Sequence, residues 1–169
     1  ASPLKTVMKR VLYLHGLESK QGGDKVDYLA GRCIVHAPEM DYTRSDIFHY
    51  LYGVVEEFKP DVIVGSSMGG YLAYVLGSIT KIKVIAFNPA LHSRKFDPII
   101  PDFVKFHAPD EFIVILGDKD TVIDCNTTLN WIKDHTANKY VKTKIERVST
   151  MGHRVTFSAF CDMYNQHIK

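Results

Sequence analysis

Apolar residues fall into two alternating rhythms along the chain. Short runs of strand-forming residues occur at Val11-Leu12-Tyr13-Leu14, Cys33-Ile34-Val35-His36, Asp61 to Gly65, Lys83 to Phe87 and Phe112 to Leu116. Each is bounded by glycine, proline or polar residues, which marks buried strands. Between them the period lengthens to that of a helix. Val26, Leu29, Ala30 and Cys33 predict a first helix over about Asp24 to Gly31. Ile47, Leu51, Val54, Val55 and Phe58 predict a second, with Ser45 and Asp46 as candidate caps and Pro60 as its stop. Met68, Leu72, Val75, Leu76 and Ile79 share one face of a third helix, expected to end near Thr80. A fourth starts near Asp124 and includes Leu129 and Ile132, and a last helix after Gly152-His153 is expected to bury Phe157, Phe160, Cys161, Tyr164 and Ile168. Lys144-Ile145-Glu146-Arg147-Val148 alternates apolar and charged residues, as a half-exposed edge strand does. From Ala90 to Glu111 prolines interrupt any period, which predicts a loop with at most a short helix.

Six strands alternating with about five helices, each connection long enough for a crossover, imply an α/β fold. The expected architecture is a doubly wound, mainly parallel six-stranded sheet with helices on both faces. In such sheets ligands bind beyond the carboxyl ends of the strands. A length of 169 residues suits a single domain over 1–169, with 1–9 as an N-terminal tail.

Composition narrows the function classes. Hydrophobic residues make up 46% and charged residues 24% of the chain, and no apolar run is long enough for a membrane span. Lysine and arginine exceed the acids by only two and are scattered, so nothing points to nucleic acid. Cys33, Cys125 and Cys161 are odd in number and widely spaced, which suits free thiols in a reducing compartment, the cytoplasm.

The chemistry concentrates at strand ends. Gly65-Ser66-Ser67-Met68-Gly69-Gly70 leaves the third strand and opens the third helix, and within it Gly65-x-Ser67-x-Gly69 fits the G-x-S-x-G nucleophile elbow. Only small residues clear the sharp turn that thrusts such a serine out of the fold. About 0.05 chance matches are expected in a chain of this length, so the partners decide. His15-Gly16 follows the first strand, Asp120 the fifth and His153 the sixth, all on one rim. The order Ser, Asp, His is that of α/β-hydrolases. The competing reading makes Ser67 a helix cap, His153 the first turn of the last helix and Asp120 a surface carboxylate.

These motifs resemble a compact bacterial esterase group, the YqiA-type α/β-hydrolases. The shared features are Leu12-Tyr13-Leu14-His15-Gly16, the Gly-Ser-Ser-x-Gly-Gly-Tyr elbow, Asn88-Pro89-Ala90 and a terminal Gly-x-His, covering about residues 10 to 165. The resemblance implies a minimal α/β-hydrolase fold without a cap domain and cleavage of a small-molecule carboxylic ester. It implies Ser67 as nucleophile and His153 as base. Gly117, Asp120 and Val122 match the family's Gly-x-x-Asp-x-Val, which makes Asp120 the acid, with Asp118 and Asp124 as alternatives. The oxyanion donors would be the N–H groups of Leu17 and Met68. Thioester or peptide hydrolysis uses the same machinery, and a binding protein could retain the fold without turnover.

No metal or cofactor is implied. Asp118-x-Asp120-x-x-x-Asp124 lacks the ligands of a calcium loop, and the elbow lacks both nucleotide-loop signatures. Phe96, Phe103 and Phe106 either wall an acyl pocket or pack onto the core, and His92, Arg94 and Lys95 either attract an acidic substrate or form ordinary surface. Glu18, next to Leu17, would oppose a developing oxyanion if it pointed inward.

Overall fold

The computed structural model describes residues 7–169, so the first six positions of the expected tail lie outside the described residues. Six strands, β1 (Arg10–Leu14), β2 (Ile34–His36), β3 (Val62–Ser66), β4 (Lys83–Phe87), β5 (Glu111–Gly117) and β6 (Lys142–Val148), pair in parallel throughout. Their order is β2-β1-β3-β4-β5-β6. The intervening helices are α1 (Asp24–Ala30), α2 (Ile47–Phe58), α3 (Met68–Thr80), α4 (Cys125–Thr136) and α5 (Phe157–His167). The doubly wound α/β architecture read from the hydrophobic pattern is the one observed.

Strand residues alternate between two apolar layers because successive side chains point to opposite faces. Leu12, Ile63, Val84 and Phe112 pack with Leu51 and Val55 of α2, Leu72 and Leu76 of α3 and Ile132 of α4. Val11, Val64, Ile85 and Ile113 pack with Leu29 of α1 and Phe160 and Met163 of α5. Thus α1 and α5 cover one face, and α2, α3 and α4 the other.

This arrangement creates the place for a site. From β1 the chain runs outward through α1 to β2, then returns across the opposite face through α2 to β3. The carboxyl ends of neighbouring β1 and β3 therefore lead into loops that part to opposite sides, a topological switch point where a crevice opens.

Several local expectations are corrected. Neither Ser45 nor Asp46 caps α2 with its side chain; the Asp46 carboxylate instead accepts from Arg44 Nε at 2.9 Å and Nη2 at 3.1 Å. Helix α3 is buried on all sides from Met68 to Ser78, because it lies over the middle of the sheet rather than at its margin. Strand β6 is an outer strand, but its alternation does not separate buried from exposed positions. Ile145 is exposed while Glu146 turns to accept from His167 Nε2 at 2.6 Å. In α5 and at its C-cap, Phe160, Tyr164 and Ile168 are buried, yet Phe157 is 45% exposed and Cys161 only half-buried. The segment after β4 holds one 3-10 turn, Asp102–Phe106. Among the described residues no helix is long and apolar enough to cross a membrane.

Candidate active site

Ser67 stands at the junction of β3 and α3 with φ 54° and ψ −115°. A non-glycine residue adopts this backbone only when its surroundings impose it, at a cost of about 1–3 kcal/mol. The imposing contacts are present on both sides. The Ser67 N–H donates to Phe87 O at 2.9 Å, and its carbonyl accepts from Ala90 N at 2.9 Å and Tyr71 N at 3.1 Å. Two glycines make the turn possible: a Cβ on Gly65 would collide with the Gly69 carbonyl, and one on Gly69 with the Leu14 carbonyl.

The Ser67 hydroxyl meets His153. Its Oγ lies 3.0 Å from His153 Nε2, and His153 Nδ1 lies 2.8 Å from Asp120 Oδ2. A carboxylate only accepts, so Nδ1 carries the proton and the Nε2 lone pair faces the serine hydroxyl. The Asp120 carboxylate is fully buried, and its other oxygen accepts from Val122 N at 2.8 Å and Ile123 N at 2.9 Å. His153 and Ser67 are half-buried, open to the groove above them. The other carboxylates of this loop are engaged elsewhere. Asp118 accepts from Arg147 Nε at 2.7 Å, and Asp124 caps α4 by accepting from Thr127 N at 2.9 Å. Those backbone and hydroxyl bonds from Thr127 hold the Asp124 carboxyl below its ordinary pKa.

Met68 directly follows Ser67, and Leu17 lines the same groove as Ser67 and His153. Met68 is the first residue of α3, where N–H groups lack helical partners. Neither its N–H nor that of Leu17 donates a hydrogen bond to any described residue. The Leu17 peptide is held by its carbonyl side. Gly16 O accepts from His15 Nδ1 at 2.8 Å and from Ser19 N at 3.2 Å. In a planar trans peptide the N–H points opposite to the carbonyl, so the Leu17 N–H is aimed away from the His15 ring. His15 is itself buried, with Nε2 accepting from Met40 N at 3.1 Å and its carbonyl accepting from the Tyr42 hydroxyl. Burial pushes the Tyr42 phenol above its ordinary pKa, which keeps it a donor there.

A groove of about 1010 Å³ runs past Ser67 and His153. Its walls are the loop from Gly16 to Lys25 and the residues Val122 and Arg154 to Phe157. Apolar surface comes from Leu17, Val122, Val155 and Phe157, and exposed charge of both signs from Glu18, Lys20, Asp24 and Arg154. Phe96, Phe103, Phe106, His92, Arg94 and Lys95 do not line it. Phe96 packs against the core, Phe103 and Phe106 are exposed elsewhere, and Arg94 is tied to Ala90 O, Leu91 O and Asp97. The wall residues Lys20, Val122, Arg154 and Phe157 were not foreseen from sequence as groove residues, because loops carry no period that says which way they fold.

Among solved structures, Est1E from Butyrivibrio proteoclasticus superposes with a TM-score of 0.67 at 16% identity, covering 96% of this chain and 90% of that one. An S-formylglutathione hydrolase from Agrobacterium tumefaciens gives 0.65 at 13% identity, with 98% and 83% covered. A protein assigned to the alpha/beta hydrolase superfamily from Xanthomonas campestris pv. campestris gives 0.64 at 16% identity, with 95% and 99% covered. At these identities the likeness is one of fold, and the fold is that of the α/β-hydrolases. The model of the uncharacterised protein family UPF0227 matches residues 10–104, a span that contains β1, the Ser67 elbow and Asn88-Pro89. With the YqiA-type motifs, that match and the α/β-hydrolase fold in agreement, the chain belongs to the UPF0227 family.

Proposed function

We propose that this protein is a serine hydrolase that cleaves a carboxylic ester of a small molecule through an acyl-enzyme on Ser67. The observation that carries the reading is the continuous line from buried Asp120 through His153 to the Ser67 hydroxyl, at 2.8 and 3.0 Å, opening into a groove. A serine hydroxyl is a weak nucleophile at neutral pH and needs a base within hydrogen-bond reach.

In the forward step, Ser67 Oγ attacks the ester carbonyl carbon while its proton passes to His153 Nε2. The carbonyl π electrons move to oxygen, and the oxyanion is met by the Leu17 and Met68 N–H groups. Collapse of this intermediate breaks the bond to the alcohol oxygen, which takes the proton from His153. Water then repeats the sequence on the acyl-enzyme, releasing the acid and restoring Ser67. Asp120 holds the imidazole tautomer and stabilises the imidazolium, remaining ionised throughout. The apolar wall of Leu17, Val122, Val155 and Phe157 suits an uncharged portion of the substrate. Three free, separated thiols suit a reducing cytoplasm.

Turnover of short p-nitrophenyl esters tests the proposal. Asp120→Asn is expected to lower kcat by about 10⁴-fold, as replacement of the orienting acid does in such triads. Asp118→Asn is expected to leave it near the parent value. Equal effects of the two substitutions, or turnover that survives Ser67→Ala, would overturn the assignment. Absence of turnover of any ester, thioester or peptide would favour a binding protein.

A further inference from the structure

Asn88 follows β4, the strand that lies between the elbow strand β3 and the strand β5 that leads to Asp120. It is 1% exposed and sits at φ 42°, in the left-handed region that asparagine tolerates better than most residues. Its backbone N–H donates to Ile115 O at 2.9 Å. Its side chain makes three further bonds. Oδ1 accepts from Gly117 N at 2.8 Å, and Nδ2 donates to Gly152 O and His153 O, both at 3.0 Å. The two ends of the amide cannot be exchanged: a flip would set an NH₂ against the Gly117 N–H and an oxygen against two carbonyls.

The three partners belong to two loops. Gly117 ends β5 and turns the chain toward Asp120, whose N–H donates back to Gly117 O at 3.1 Å. Gly152 and His153 form the loop that presents the imidazole. Among the described residues, no group other than Asn88 donates to the Gly152 or His153 carbonyl. The two loops also touch directly, since a Cβ on Gly117 would collide with the Met151 and Gly152 carbonyls. One backbone bond crosses this approach, Lys119 N to Met151 O at 3.0 Å, and the Asn88 amide adds three more, the ones nearest the imidazole-bearing peptide.

We propose that Asn88 is a positioning residue whose buried amide clasps the Asp120 and His153 loops to each other and so keeps the imidazole in line with Ser67. The inference rests on the catalytic reading of these three residues and goes beyond it by assigning a side chain that, with the Lys119–Met151 backbone bond, keeps their loops in register. The chemistry asks for asparagine: one acceptor toward an N–H and two donors toward carbonyls, on a stem short enough for a buried strand end. Aspartate keeps the acceptor and loses both donors. Glycine keeps the backbone conformation and loses all three bonds.

The test compares Asn88→Gly and Asn88→Asp with the parent, at a temperature where circular dichroism shows each folded. The readouts are kcat and KM on p-nitrophenyl butyrate, and the low-field proton resonance of His153 Nδ1–H against Asp120. In both variants kcat is expected to fall by about 10²-fold with KM little changed, the scale of a misplaced catalytic group. The low-field resonance is expected to broaden or vanish. Folded variants that retain the parent kcat and resonance would overturn the proposal, as would retention in Asn88→Asp alone. If neither variant folds, the amide is a folding element and the positioning role fails. If the parent turns over no ester, the catalytic reading falls by itself, and the resonance still decides the clasp.

Discussion

Ser67 holds its hydroxyl on a backbone conformation that an unconstrained serine avoids, and the surrounding hydrogen bonds keep it there. The conformation suits glycine, so Ser67→Gly should raise stability by roughly 1 kcal/mol, strain relief outweighing the entropy that glycine loses on folding. Urea denaturation checks this, and a loss of stability would show that the elbow is not strained. Activity should vanish in the same variant, a trade of stability against function. At this scale the serine, the carboxylate and the imidazole were legible, because the residue types announce their chemistry wherever a strand ends. Asn88 and His15 were legible only as motif members. Their roles arise from bonds spanning 25 to 65 positions, which no local pattern contains. Phe157 was misread for a related reason. It begins the apolar stripe of α5, but the first turn of that helix projects past the core into the groove wall.

Among the elements, β1 and α3 pack against each other with no spare room at the elbow. Gly69 faces the Leu14 carbonyl so closely that one methyl group has no room, and both groups are backbone. Gly69→Ala should therefore destabilise by at least the 1–3 kcal/mol typical of overpacking, read as a fall in the denaturation midpoint. No change would mean that the elbow opens more easily than its contacts suggest. At the start of α4, Asp124 caps the helix and its folded pKa is depressed. The sign follows from linkage: its contribution is fully present above the unfolded carboxyl pKa and is lost as pH falls through the lower folded value. Asp124→Asn should thus flatten the stability profile on the acid side of about pH 4, measured by urea titration across pH. An unchanged profile would remove the cap from that role. The helices themselves were legible from their stripes, α2 above all. The cap of α2 was not, since Arg44 two residues away binds the Asp46 carboxylate more directly than the helix does.

At the scale of the molecule, the apolar runs declared buried parallel strands, and their alternation with helical periods declared a doubly wound sheet. The strand order could not be read from them. It decides the site nonetheless, because placing β1 beside β3 brings Gly16-Leu17 to the serine elbow and sends α1 and α2 to opposite faces. The loop from Glu18 to Gly23, polar and without period, then becomes a groove wall instead of the segment after β4. The family match spans the elbow and ends before Asp120 and His153, so the assembled line of three residues is a property of the whole chain. Whether Ser67 is the nucleophile is tested most simply by labelling with a fluorophosphonate probe, with the adduct located by peptide mass spectrometry. A single adduct on Ser67 is expected, absent in Ser67→Ala and slowed in Asp120→Asn; an adduct elsewhere, or none while the protein is folded, would rule out Ser67 as the nucleophile.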